Sequence, residues 1–322
     1  MIRIKKRNMF FKVVIFGALT AVLLDGRPAA SAVQTAPKSK VVTVRSPNAV
    51  NSRNQCQPLE VKAMLDQGLL ALTGKTSIRE AWTALGLTPA DVVGIKVNCN
   101  SWTIKLSPHP ELVAALTESL GSIVPLNNII FYDMTKSDLK DGGFTRNTSS
   151  VGPRFLANDA DAGYDEQERL TRIVTSMCTK LINFASLKTV DTTYGNRTLA
   201  VSLFFKNHVG SLIADDAPKS HGDFDFMAAV LAKPSIRKKT ILNLCDGLRG
   251  TYKRGVPWYW AGIVLGVDTV ASEYAAFQVI NEKRIQEKEK PFEMPSYLLI
   301  AEKKYGLGTC DPANINWIRL ER

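Results

Sequence analysis

The sequence predicts an α/β fold: an open, mostly parallel sheet covered by helices on both faces, in one domain with a surface insertion. Three observations carry that prediction. Short apolar runs of strand length alternate with longer stretches at helical period, which calls for crossover connections between parallel strands. The composition, 45% hydrophobic and 22% charged over 322 residues, is that of a globular chain able to bury a large core. Polar residues also collect where the predicted strands stop, and an open parallel sheet places its ligand crevice at the carboxyl ends of its strands.

Residues 1–32 read as a signal peptide. Arg3, Lys5, Lys6 and Arg7 precede a twelve-residue apolar run over 13–24, and Ala30-Ser31-Ala32 offers small residues for cleavage after Ala32. A helix of that length covers about 18 Å, short of the roughly 30 Å hydrocarbon layer, so no permanent membrane span is expected. Arg7-Asn8-Met9-Phe10-Phe11-Lys12 is similar to a twin-arginine export signal with Asn in place of the second Arg, and both export routes stay open. The mature chain is then exported, to a periplasm or beyond. The signal holds a net +5 of the total +11, which leaves a mild +6. The densest basic cluster, 283–290, is interleaved with Glu282, Glu287 and Glu289, the pattern of a solvated helix face. Without a basic stripe carrying aromatic rings, nucleic acid is not an expected partner.

Residues 33–57, rich in Ser, Pro and Asn, are expected to form a tether or edge segment with a strand-like run over 41–44, and 58–322 the single α/β domain. The periodicity predicts helices over 59–72 and 77–85, the second with Ser77 and Glu80 at capping-box spacing. A strand over 92–99 follows, then a helix over 110–123 opened by Pro110 and a strand over 128–134. The Gly-, Asp- and Asn-rich stretch 137–168 reads as a surface insertion. Strands over 180–185, 240–245 and 262–266 alternate with helices over 199–208, 224–231, 270–288 and 296–305.

The predicted strand ends supply the candidate site. Lys96, Asn98 and Asn100 share one face of the first strand, Asp133 closes the second, and Lys188 follows the third. Asp246 closes the fourth, and Asp268 follows the fifth. Five cysteines, 56, 99, 178, 245 and 310, contain no C-x-x-C, so no iron–sulfur motif is present, and an odd count leaves a monomer at least one free thiol. The sequence has no G-x-x-x-x-G-K-[ST], G-x-G-x-x-G or Gly-x-Ser-x-Gly loop.

From Asp91 to the C-terminus the chain resembles the family catalogued as domain of unknown function 362. The resemblance rests on Val93-Gly94-Ile95-Lys96-Val97-Asn98, His109-Pro110-Glu111, Lys206-Asn207-His208-Val209-Gly210-Ser211, Ser220-His221-Gly222, Asp246-Gly247-Leu248, 266–271 and Tyr305-Gly306-Leu307-Gly308. Two positions depart from it: Val190 stands where the family has a His after Lys188, and Glu273 where it has Asp. Some relatives carry iron–sulfur modules, for which this chain lacks the cysteine spacing. The resemblance implies the fold and a strand-end site, but no settled activity.

Three readings of that site remain open. His208, His221 and Asp246 could hold a divalent metal such as zinc, iron or nickel. Lys96, Asn98, Lys188, Lys206, Asn207 and Asp268 could instead line a pocket for a small anionic ligand, with His208 or His221 as catalytic acid or base. On either reading the activity stays open, with an enzyme or a redox accessory among the outcomes. The alternative is a non-catalytic envelope binding module that uses Trp258-Tyr259-Trp260 as its contact patch.

Overall fold

Apolar runs too short for helices become the strands of one eight-stranded sheet. In chain order these are β1 (Ser39–Arg45), β2 (Val93–Lys96), β3 (Ile129–Asp133), β4 (Arg154–Ala157), β5 (Lys180–Ser186), β8 (Thr240–Gly247), β11 (Gly262–Gly266) and β12 (Ile315–Glu321). Two small hairpins pair β6 (Thr189–Tyr194) with β7 (Arg197–Val201) and β9 (Gly250–Lys253) with β10 (Val256–Trp258). The structure is a computed structural model and describes residues 38–99, 106–194 and 197–322. The signal peptide, its cleavage site and Asn100 lie outside the described residues.

The sheet order is β12-β1-β11-β8-β5-β2-β3-β4. Five of its seven pairings are parallel, and the two antiparallel ones both belong to β11. Seven strands therefore finish at one rim and β11 finishes at the other. Period-two alternation sends side chains to opposite faces. On one face α1 (Pro58–Thr73), α2 (Ile78–Ala84) and α3 (Pro110–Gly121) cover Val44, Ile95, Phe131, Phe184, Leu244 and Leu265. On the other, α5 (Phe204–Asn207), α6 (Phe224–Ala232), α7 (Pro234–Lys239), α8 (Thr269–Gln286) and α9 (Ser296–Lys303) close over Val41, Tyr132, Leu181, Cys245 and Val264.

The helix boundaries follow from capping chemistry. Pro58 and Pro110 open α1 and α3. Gly74 ends α1 with φ of 70°, and its N–H bonds the Leu70 carbonyl. The Ser77 hydroxyl accepts from the Glu80 N–H at 3.3 Å and donates to the Glu80 carboxylate at 2.9 Å.

Three expectations need correction. Residues 39–45 are no tether or edge: β1 lies between β11 and β12, because Val41, Val42 and Val44 are apolar on both faces and fully buried. The stretch 137–168 is more than a surface insertion, since it contributes α4 (Lys136–Asp141) and the edge strand β4, where Phe155 stacks on Phe131 at 4.9 Å. The helix expected over 199–208 is β7 followed by the single turn α5, because a short apolar run does not by its period distinguish strand from helix.

Candidate functional site

The ends of β2 and β3 meet in a buried ion pair. Lys96 Nζ donates to Asp133 Oδ1 at 2.5 Å and to the Val97 carbonyl, and the two residues are only 2% and 4% exposed. Asp133 also accepts from the Cys99 and Met134 N–H groups, each at 2.8 Å. Gly210 backs the pair: a Cβ there would sit 2.7 Å from Lys96 Cε, Lys96 Nζ and Asp133 Oδ1. Asn207 links the site to the sheet, donating to the Lys96 carbonyl and to Asn183 Oδ1, both at 2.8 Å, while its own Oδ1 is buried and, among the described residues, unpartnered.

Beside this pair stand two lysines of different character. Lys188 is buried after β5 and donates to Asn98 Oδ1 at 2.6 Å. Burial pushes its pKa down to about 7; Lys206 and Lys96 push the same way, against Asp133. Lys206, on α5, is half-buried, and burial lowers its pKa to about 8. Among the described residues its ammonium has neither a carboxylate nor a hydrogen-bond acceptor. A half-buried cation of this kind has lost hydration without gaining a counter-charge.

His208 is fully buried, and its Nδ1 meets Ser211 Oγ at 3.0 Å, which in turn meets the Tyr132 hydroxyl at 3.1 Å. Its Nε2 is buried and, among the described residues, without a hydrogen-bond partner. Burial, with the Lys96 charge, drives its pKa down to about 3, so the ring is neutral. His221 lies on a short 3-10 turn (Ala217–His221), and burial and Lys206 lower its pKa. Lys96, Asn98, Lys188, Lys206, Asn207 and the two histidines thus come from one rim of the sheet, linked by contact or by the charge each feels.

Asp246 and Asp268 do not join this group. The Asp246 side chain turns to the face covered by α3, where its Oδ2 accepts from the His109 N–H at 2.6 Å and from His109 Nδ1 at 2.9 Å; Leu248 N–H holds Oδ1 at 3.0 Å. Asp268 follows the reversed strand β11, so it lies at the opposite rim. There it caps α8 through the Ala271 N–H and accepts from Ser39 Oγ and the Thr309 N–H. The metal reading of His208, His221 and Asp246 is corrected accordingly. Among the described residues no three His, Cys, Asp or Glu side chains are grouped to hold a metal ion. Asp246 is committed to His109, and His208 has Nδ1 on Ser211.

The Asp246–His109 pair was not among the sequence candidates. Burial disfavours the charged imidazole, but the Asp246 carboxylate, with a smaller push from Cys56, outweighs it and raises the His109 pKa to about 11. Val190, in β6, packs against the apolar core. Glu273 is fully buried on α8, accepting from the Tyr297 hydroxyl at 2.7 Å and the Phe205 N–H at 3.2 Å; burial pushes its pKa up to about 7.

Trp258, Tyr259, Trp260 and Trp317 line a cleft of about 300 Å³ away from the lysines. Trp260 lies over Gly247 and Gly262, where any Cβ would strike its ring, so this residue seals the start of β11. Comparison with family models, with curated proteins and with solved structures found no match for the chain.

Proposed function

We propose that this protein binds a small anionic ligand, a carboxylate or phosphate, at the rim where β2, β3 and β5 end, with Lys188 and Lys206 as its cationic contacts. The observation that carries the reading is Lys206: a half-buried ammonium with no counter-charge among the described residues, close enough to the buried Lys188 for each to feel the other's charge. An arriving anion would supply the missing charge to Lys206, beside the buried ammonium of Lys188, in a setting of low effective dielectric. Asn98 and Asn207 orient the lysine heads and the backbone beneath them. Neutral His208, with Nε2 turned into the buried interior, is suited to accept a hydrogen bond rather than to add charge. The export reading of residues 1–32 belongs to the same proposal, and mass analysis of the mature chain should find Val33 at its N-terminus.

The test is thermal unfolding of the full mature chain in millimolar sulfate or phosphate against chloride at equal ionic strength. A ligand at about 100 times its Kd adds about 2.7 kcal/mol, worth roughly 5–10 °C in a domain of this size. Lys206→Met should abolish that gain. A gain of equal size in Lys206→Met would mean general salting and overturn the proposal.

A further inference from the structure

We propose that the cleft between β12, the last turns of α8 and the 258–260 segment binds a neutral saccharide of one or two pyranose rings. The inference is independent of the lysine rim, with which it shares no residue.

The cleft is built from three sides. Val279, Glu282, Lys283 and Gln286 recur at helical spacing, so one face of α8 forms a wall. Thr43 and Arg45 on β1 lie opposite Arg319 and Glu321 on β12, and with Trp317 they share the sheet face that forms the floor. Trp258, Tyr259 and Trp260, leading into β11, close the third side.

The rings are anchored before any ligand arrives. Trp317 Nε1 donates to Thr43 Oγ1 at 3.2 Å, and the Arg319 guanidinium stacks on its ring at 3.8 Å. Arg45 Nε donates to the Trp260 carbonyl at 3.0 Å, and Trp258 meets Tyr252 edge to face with centroids 6.1 Å apart. A site whose side chains are already placed loses little entropy on binding.

The charges around the cleft select the ligand class. Arg319 pairs with Glu282 at 2.6 Å, Arg45 with Glu321 at 3.6 Å, and Lys283 with Glu287 at 2.5 Å. An anion would compete with Glu282 and Glu321 for the arginines, and a cation over the rings would face Arg45, Lys283 and Arg319. A wholly apolar ligand would strip water from these pairs and return no hydrogen bond. By contrast, the indole N–H groups of Trp258 and Trp260, the Tyr259 hydroxyl and the Gln286 amide have no hydrogen-bond partner among the described residues. Aromatic rings with such donors and acceptors suit a molecule with an apolar C–H face and a rim of hydroxyls, which is what a pyranose presents. The volume, about 300 Å³, lies at the small end of ligand sites and limits the bound portion to one or two rings.

The probes are cellobiose, maltose and N,N′-diacetylchitobiose, each titrated into the full chain to about 10 mM, where a site with a Kd of about 1 mM is nine-tenths full. Three of the five tryptophans line the cleft, so indole fluorescence reads its occupancy, and calorimetry gives the stoichiometry. Saturable one-to-one binding of at least one disaccharide is expected. It should weaken at least about tenfold in Trp258→Ala and about threefold in Gln286→Ala, and stay unchanged in Lys206→Met. Binding at full strength in both cleft variants, or binding lost in Lys206→Met, overturns the inference. So does a chain that takes none of the three sugars, whether or not choline binds in their place. Should Trp258→Ala fail to fold, Tyr259→Ala, at an exposed position, replaces it with the same expectations.

Discussion

Asp133→Asn is the sharpest perturbation of the lysine rim, because it removes a charge and little volume. Lys96 would keep its place, 2% exposed, but would lose the one carboxylate that pairs with it among the described residues. Removing one partner of a buried pair costs about 3–5 kcal/mol, since the remaining charge is stranded away from water. Asparagine can still accept from one of the two N–H groups that Asp133 holds, those of Cys99 and Met134, which places the loss near the middle of that range. At roughly 2–4 °C per kcal/mol for a domain of this size, the melting temperature should fall by about 8–16 °C. Circular dichroism melts and urea titrations of the single and double variants measure it. Adding Lys96→Met to Asp133→Asn should restore at least half of the loss, because the stranded charge is gone. A loss below about 1 kcal/mol, the size seen for exposed pairs, or no recovery in the double variant, would refute the claim that burial governs this pair.

The other predictions concern the same rim and its neighbours. Imidazole NMR at pH 6 should find His109 protonated and His208 neutral, the first still charged at pH 9 and the second still neutral at pH 4.5; two ordinary titrations near 6.5 would contradict the contacts described. Gly210→Ala should cost about 1–3 kcal/mol and disturb sulfate binding, because its methyl group would displace the Lys96–Asp133 pair; a fully stable variant would show that the loop yields instead. Sulfate, which carries the same charge from pH 6 to 10, should bind while Lys188 and Lys206 are cationic and lose affinity as pH rises through about 7 to 8 and beyond. Both lysines are shifted downward, so the cationic form lies on the low-pH side. Affinity that is flat to pH 10 would assign the anion to other groups.

Much of this architecture was legible in the chain. Alternating apolar runs marked β2, β3, β5, β8 and β11 close to their observed positions, and the strand-end rule pointed to Lys96, Asn98, Asp133 and Lys188, which lie together at one rim. What the sequence withheld was strand direction. Nothing in Gly262–Gly266 distinguishes a reversed strand from a parallel one, so Asp268 was placed at the wrong rim. Side-chain parity was the second gap: Asp246 ends a strand at the correct rim, yet faces α3 and His109 rather than the lysines. The third was β1, whose polar flanks masked a strand with two neighbours.

The position of β1 between β11 and β12 has a consequence for how the molecule is made. Its partners, Gly262–Gly266 and Ile315–Glu321, lie far later in the sequence, so β1 leaves the ribosome with both edges bare and waits for those segments to follow. Pairings so remote in sequence form late and slowly. A nascent chain that has not yet reached Ile315–Glu321 therefore holds β1 with one edge unpaired, and this half of the sheet is completed only when that segment arrives.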